Sequence, residues 1–183
     1  MDLTLIDLRT EVVRTERLVL RPYRPDDVEP VHRACQDPDI QRWLGNLPSP
    51  YTEADAVEFV TRTAGQDRSE ARALTTAVEV DGRFAGSAGL HLTPGHLGPA
   101  VGYWIAPWAR GRGYAAEAAR ALSDWALGLG APRVHLMADV GNAASQAAAD
   151  RAGFVREGVV RSCLPYRDGT RGDAVLFSRL PGD

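Results

Sequence analysis

Chemistry first becomes legible in the run Tyr103-Trp104-Ile105-Ala106-Pro107-Trp108-Ala109-Arg110-Gly111-Arg112-Gly113-Tyr114-Ala115. An apolar stretch there gives way to a basic, glycine-rich turn and then to a helix start. The first turn of a helix offers unpaired N–H groups and a partial positive charge, so a pyrophosphate can sit there when no Cβ blocks its approach. Gly111 and Gly113 remove those Cβ atoms, and Arg110 and Arg112 add donors for charge-assisted bonds. A second pattern is also satisfied. Gly111-x-Gly113-x-x-Ala116 is the dinucleotide fingerprint, and Asp139 ends the next apolar run as a ribose-binding acid would. Two features weigh against a nicotinamide site: five residues, Ala106 to Arg110, separate the strand from the first glycine, and the preceding hundred residues contain a hairpin rather than βαβ units.

The elements that must position this turn are mixed. Arg17 to Leu20 alternate and stop at Pro22, which suits a short first strand. Asp26-Asp27 opens a helix toward Cys35, and Pro38 opens a second up to Trp43. Gly45 to Pro50 is loop, and Thr52-Glu53-Ala54-Asp55 has capping-box spacing before Ala56, Val57, Phe59 and Val60. The period then changes to two. Leu74 to Val80, a turn at Asp81-Gly82 and Phe84 to Leu92 form a hairpin, with Val101 to Ile105 as the next strand. Ala115 to Ala126 follow helical spacing, closed by Gly128 and Gly130. Val134 to Ala138, Phe154 to Val160 and Ala174 to Leu180 are strands, and Ala143 to Ala152 is a small-residue helix. The expected fold class is α+β, with residues 1–14 as an N-terminal extension and 15–183 as one domain.

Composition narrows the partners. The 183 residues are 44% hydrophobic and 25% charged, which suits one compact domain. Net charge is -3, without a block of like charge, so a duplex-binding footprint is missing and no nucleic-acid partner is expected. The amino terminus has no long apolar stretch and nowhere do eighteen apolar residues run on, so neither export nor a membrane span is expected, and the location read from this is cytoplasmic. Cys35 and Cys163 lack metal-ligand spacing, and no metal site is expected. All 21 basic residues are arginine, which carries no mechanism.

Taken in order, further segments resemble one family. Arg110, Gly113 and Ala115 match the coenzyme A loop pattern Gln/Arg-x-x-Gly-x-Gly/Ala of the GNAT superfamily of N-acetyltransferases. Thr15 to Pro22 is similar to the opening strand of its ribosomal-protein alanine/serine N-acetyltransferase group, and Asp37-Pro38-Asp39-Ile40 to its helix connection. Val101-Gly102-Tyr103-Trp104 resembles the family's fourth strand. Asn142-Ala143-Ala144-Ser145 with Arg151-Ala152-Gly153-Phe154 is similar to its Asn-x-x-Ser…Gly-Phe segment, and Tyr166-Arg167-Asp168-Gly169 with Asp173 to its closing hairpin. The resemblance runs from about Thr15 to Leu180.

The resemblance implies a mixed, mostly antiparallel sheet flanked by helices, with the family's fourth and fifth strands splayed around the pantetheine arm. It implies direct attack of an amine on the thioester of acetyl-CoA, without an acyl-enzyme. Trp104, Ile105, Ala106, Arg110, Gly111, Arg112, Gly113, Tyr114, Ala115 and Asn142 would hold the cofactor, and a bulge near Trp104 to Ala106 would free a backbone N–H for the oxyanion. Ser145 would protonate the departing thiolate, although Asn142 and Ser145 also suit a helix cap. Many relatives carry an acid where this chain has Ala100; His91 and Tyr103 are the candidate substitutes. Trp43, Tyr51 and Trp104 would wall an acceptor pocket, beside the acids Asp37, Asp39, Glu53 and Asp55. The acceptor implied is a protein N-terminus or a small-molecule amine, and the assembly a monomer or homodimer. A non-catalytic acyl-CoA sensor is the competing reading, favoured by Ala100 and disfavoured by Ser145.

Overall fold

A computed structural model of the chain describes residues 1–92 and 95–183. Strands β1 (Val13–Arg14) and β2 (Val19–Arg21) lead into helices α1 (Val28–Ala34), α2 (Pro38–Trp43), α3 (Glu53–Glu58) and α4 (Ala64–Ser69). Next come β3 (Ala73–Val80), β4 (Arg83–His91) and β5 (Ala100–Ile105), then helix α5 (Tyr114–Gly128), β6 (Val134–Asp139), α6 (Ala143–Arg151), β7 (Val155–Pro165) and β8 (Arg171–Arg179). Local chemistry explains several starts. Asp37 accepts from the Ile40 N–H at 3.0 Å to cap α2, and Thr52 and Asp55 form the capping box of α3, with the Thr52 N–H on Asp55 at 2.8 Å. The third helical stretch outruns its sequence expectation because a π turn over Phe59–Thr63 carries it on into α4, the Ala64 N–H reaching the Phe59 carbonyl. Asp81 and Gly82, at φ +48° and +74°, make the tight turn between β3 and β4.

The sheet order is β1-β2-β3-β4-β5-β6-β8-β7, and every pairing is antiparallel except β5 with β6. This is the mixed, mostly antiparallel α+β fold expected, and it rules out the doubly wound dinucleotide fold, which needs consecutive parallel units. Alternating residues build a core on each face. Leu74, Val78, Leu90, Val101, Leu136 and Phe177 pack with Ala118, Ala119, Leu122 and Ala126 of α5. On the opposite face Ala77, Phe84 and Trp104 pack with Val31, Ile40, Ala56 and Val60. Leu8, before the first strand, is buried in the α5-side core, and no helix among the described residues is long and apolar enough to cross a membrane.

Two features of β5 decide the site. It meets β6 at a single register pair, Ala100 with His135, and the strands then part into a wedge. The expected bulge is absent: β4 and β5 pair without a register shift from His91–Ala100 to Gly86–Ile105, and the Ala106 N–H continues the ladder to the Ala85 carbonyl at 2.9 Å. The irregularity lies on β4 instead: the β3–β4 register shifts at Ala85, and at the neighbouring Gly86 a Cβ would clash with the Trp104 carbonyl.

Candidate active site

The glycine-rich turn is assembled from three elements. Pro107–Ala109 form a 3₁₀ turn after β5, and Gly111 and Gly113, at φ +77° and +81°, take the left-handed conformation that glycine adopts most cheaply. A Cβ on Gly111 would meet nothing within 4 Å, so this backbone faces open space. The N–H groups of Tyr114, Ala115 and Ala116 have no hydrogen-bond acceptor among the described residues. Arg17 braces the turn from below: it donates to the Arg112 carbonyl at 3.1 Å and to Glu117 at 2.7 Å, and its guanidinium lies 5.1 Å from the centre of the Tyr114 ring. Thr15 donates to the same Glu117 at 2.5 Å. Burial pushes Glu117 up, but the bonds from Thr15 and Arg17 outweigh it and hold the carboxyl below the ordinary range. Arg17 and Glu117 were not singled out from the sequence; the signal available was the arginine inside the Thr15 to Pro22 motif.

The two loop arginines differ. The Arg110 guanidinium is bound within the protein, to Asp37 at 2.6 and 3.3 Å, to Asp39 at 3.5 Å and to the Ile105 carbonyl at 3.2 Å. It therefore straps the turn to α2 and β5 instead of presenting a free charge. Asp37 and Asp39, expected beside the acceptor, stand here. The Arg112 side chain has no hydrogen bond or ion pair among the described residues and lines the cavity above the turn.

That cavity, about 580 Å³, runs from the turn along the wedge to α6. Trp104, Ile105, Arg110 to Ala115, Asn142 and Ser145 all line it, as does Tyr103; Ala106 does not, being fully buried. Sequence reasoning missed Ala144, Ala147, Ala148 and Arg151, although their spacing marks one face of α6. Ladder alternation, with Ala106 bound to β4, turns the Ile105 and Tyr103 backbone toward the wedge, and the Ile105 carbonyl is held there by Arg110. The open N–H at the mouth thus belongs to Ile105, not to Trp104 or Ala106.

Asn142 caps α6, its Oδ1 accepting from the Ser145 N–H at 3.0 Å. The Ser145 hydroxyl lies 3.2 Å from the Tyr103 hydroxyl, which is also 3.1 Å from the Ser145 carbonyl. Burial pushes the Tyr103 phenol up, and the Ser145 bond offsets only part of this. Asp139, the acid of the dinucleotide pattern, is engaged elsewhere, by the Gly141 N–H at 2.7 Å and by the Tyr166 hydroxyl.

A second cavity, about 490 Å³, opens on the opposite face of the sheet and shares Tyr103, Trp104 and Leu44 with the first. Tyr51, Thr75, Ser87 and His91 line it. His91 pairs across the ladder with Ala100, so the two side chains stand side by side on this face of the sheet. Trp43 lies on the wall of the first cavity, near Gly141, instead of beside Tyr51, because α2 ends over the wedge. Of the four expected acids only Asp55 reaches this second cavity; Glu58 and Asp67 join it, brought in by the continuation of α3 into α4.

The residues fit a pyrophosphate-bearing thioester. Open N–H groups and an unpaired arginine flank a backbone free of Cβ atoms, and a long groove leads from them to hydroxyls and a free amide. Comparison with known proteins points the same way. A family model described as an acetyltransferase (GNAT) domain matches residues 17–155. The chain is 28% identical over 169 residues to a Bacillus subtilis (strain 168) protein named "Putative ribosomal N-acetyltransferase", covering 90% of this chain and 92% of that one. Among solved structures, a GNAT-family acetyltransferase from Bacillus anthracis superposes with TM-score 0.80 at 24% identity, covering 94% of this chain and 100% of that one. A ribosomal L7/L12 alpha-N-protein acetyltransferase in complex with coenzyme A superposes with TM-score 0.80 at 22% identity, covering 93% and 98%.

Proposed function

Because the chain belongs to the GNAT acetyltransferase family, an acetyl-CoA-dependent N-acetyltransferase fold, we propose that acetyl-CoA occupies the cavity on the α5–α6 face and a primary amine the cavity on the other. Transfer then takes place through the β5–β6 wedge. The observation that carries this reading is that the two cavities, on opposite faces of one sheet, meet at Tyr103 and Trp104.

Bound acetyl-CoA supplies an activated thioester carbonyl. Arg112 and the N-terminal N–H groups of α5 hold the pyrophosphate. The Ile105 N–H donates to the carbonyl oxygen as negative charge develops there, an arrangement worth about 2.7–4 kcal/mol per donor in comparable sites. Ser145 gives a proton to the departing thiolate, and His91, on the acceptor side, accepts one from the amine.

The acceptor best supported is the α-amine of a protein, and two considerations favour it. The relative named as a ribosomal N-acetyltransferase is one. The other is Ala100: without a carboxylate there, deprotonation must cost little, and an α-amine of pKa about 7.7–8.0 is easier to deprotonate than lysine near 10.4 by about 3.4 kcal/mol. Coenzyme A release is to be measured over pH 6 to 10 with a peptide bearing a free α-amine, with the same peptide blocked at its N-terminus but carrying lysine, and with small amines. The free α-amine should react fastest at neutral pH. Faster acetylation of the lysine peptide would overturn the acceptor assignment, and release with no amine at all would overturn the transfer itself.

A further inference from the structure

Resting on the transfer reading above, we infer that Tyr103 is the source of the proton that the departing thiolate receives, delivered through the Ser145 hydroxyl. Ser145 stands on the cofactor cavity with its Oγ 3.2 Å from the Tyr103 Oη, and Tyr103 belongs to the stretch of β5 that borders both cavities. An aliphatic hydroxyl alone is a far weaker acid than a thiol, whereas a phenol, ordinarily near 10, lies much closer to it even when burial pushes it up. With the Tyr103 O–H pointing at Ser145 Oγ, the Ser145 proton is left free to face the wedge. The Ser145 carbonyl, 3.1 Å from the same Tyr103 hydroxyl, offers the phenolic proton a second acceptor.

The step balances. The amine nitrogen forms its bond to the acetyl carbon and the C–S bond breaks, its electron pair going to sulfur. Sulfur takes the Ser145 proton and Ser145 takes that of Tyr103. The phenolate recovers a proton from the acylated nitrogen, which has one to lose, by way of solvent in the wedge. His91 takes the proton that an ammonium must lose before attack, and the proton shed at nitrogen after attack replaces the one delivered to sulfur. The ionisable neighbours are Asp39, Arg110, Arg112, Tyr114 and Arg151 around the cofactor cavity, and Tyr51, Asp55, Glu58, Asp67 and His91 around the acceptor cavity. A phenol is ordinarily protonated at neutral pH, as a donor must be, and burial pushes that of Tyr103 further up.

The test is kcat against pH for Tyr103→Phe and for Tyr103→3-fluorotyrosine, each checked for folding by circular dichroism and for acetyl-CoA affinity by calorimetry. A donor that must be protonated gives activity that is lost as pH rises through its pKa. Tyr103→Phe should lower kcat by roughly 10²-fold with little change in affinity and erase that alkaline limb. The fluorinated phenol, being more acidic, should keep turnover and move the limb to lower pH, a shift that a merely structural tyrosine would not produce. Unchanged kcat in Tyr103→Phe, or a limb unmoved by fluorination, overturns the relay alone. A wild-type protein that binds acetyl-CoA but acetylates no amine overturns the transfer reading and the relay with it.

Discussion

Residues of one type carry different work in the glycine-rich turn. Arg112 is the loop arginine with an uncommitted side chain, so Arg112→Ala should weaken acetyl-CoA binding by about 1–3 kcal/mol by calorimetry and leave the melting temperature unchanged. Arg110→Ala should differ, because Asp37, Asp39 and the Ile105 carbonyl lose their partner and the turn its strap. Both binding and stability should fall there. Gly113→Val should abolish binding, since a β-branched residue at φ +81° forces the turn out of shape. Equal, small effects from all three would mean that the turn holds no phosphate. The sequence announced these positions by type, but it could not divide the two arginines, which depends on acids more than seventy residues upstream in the chain.

At the scale of elements, the turn depends on the pairing of the β1–β2 segment with α5. Glu117 is held below the ordinary carboxylate range by Thr15 and Arg17 despite its burial, so its stabilisation is complete above the unfolded value near 4.3 and is lost as pH falls through the lower folded value. Glu117→Gln should therefore be less stable than wild type at pH 7, and the gap in melting temperature should close below about pH 4. A gap constant with pH would show that Glu117 acts by packing. The helix α6 offers a second check. Asn142 caps it through the Ser145 N–H, so Asn142→Ala should cost about 1 kcal/mol in denaturant unfolding and should also lower turnover, because the same bond sets where Ser145 stands.

Across the whole molecule, one buried ion cluster ties the α1–α2 layer to the sheet. Arg21 of β2, almost wholly buried, donates to Asp27 at 2.7 and 2.9 Å and to Glu79 of β3 at 2.6 Å. Removing one partner leaves a buried charge uncompensated, so Asp27→Ala should cost about 3–5 kcal/mol, read from urea unfolding. A loss within the range of a surface substitution would mean that Glu79 alone suffices. Because Asp27 leads into α1, and α1 packs on α3 at the wall of the acceptor cavity, the variant should also raise KM for the amine more than for acetyl-CoA.

How much was legible in the sequence follows from how local each signal is. Capping boxes, the Asp81-Gly82 turn, the period-two strands and the glycine-rich helix start are decided within a few residues, and the elements they define stand where the pattern put them, to within a few positions. The left-handed Gly113 and the cap at Asn142 are local in the same way. Non-local geometry was not written in any short window. The parting of β5 from β6 after one pair, the close approach of Gly86 to the Trp104 carbonyl, and the engagement of Asp139 by Tyr166 arise from strands distant in sequence. So does the sorting of candidates between two faces: a residue's side of the sheet is set by register, and a shift of one position would exchange Tyr103 with Trp104. The sequence by itself determined which residues could do the chemistry, because type and short spacing suffice for that. Only the tertiary structure decided which of them meet: Tyr103 with Ser145 on one face, His91 beside Ala100 on the other, and the wedge that joins them.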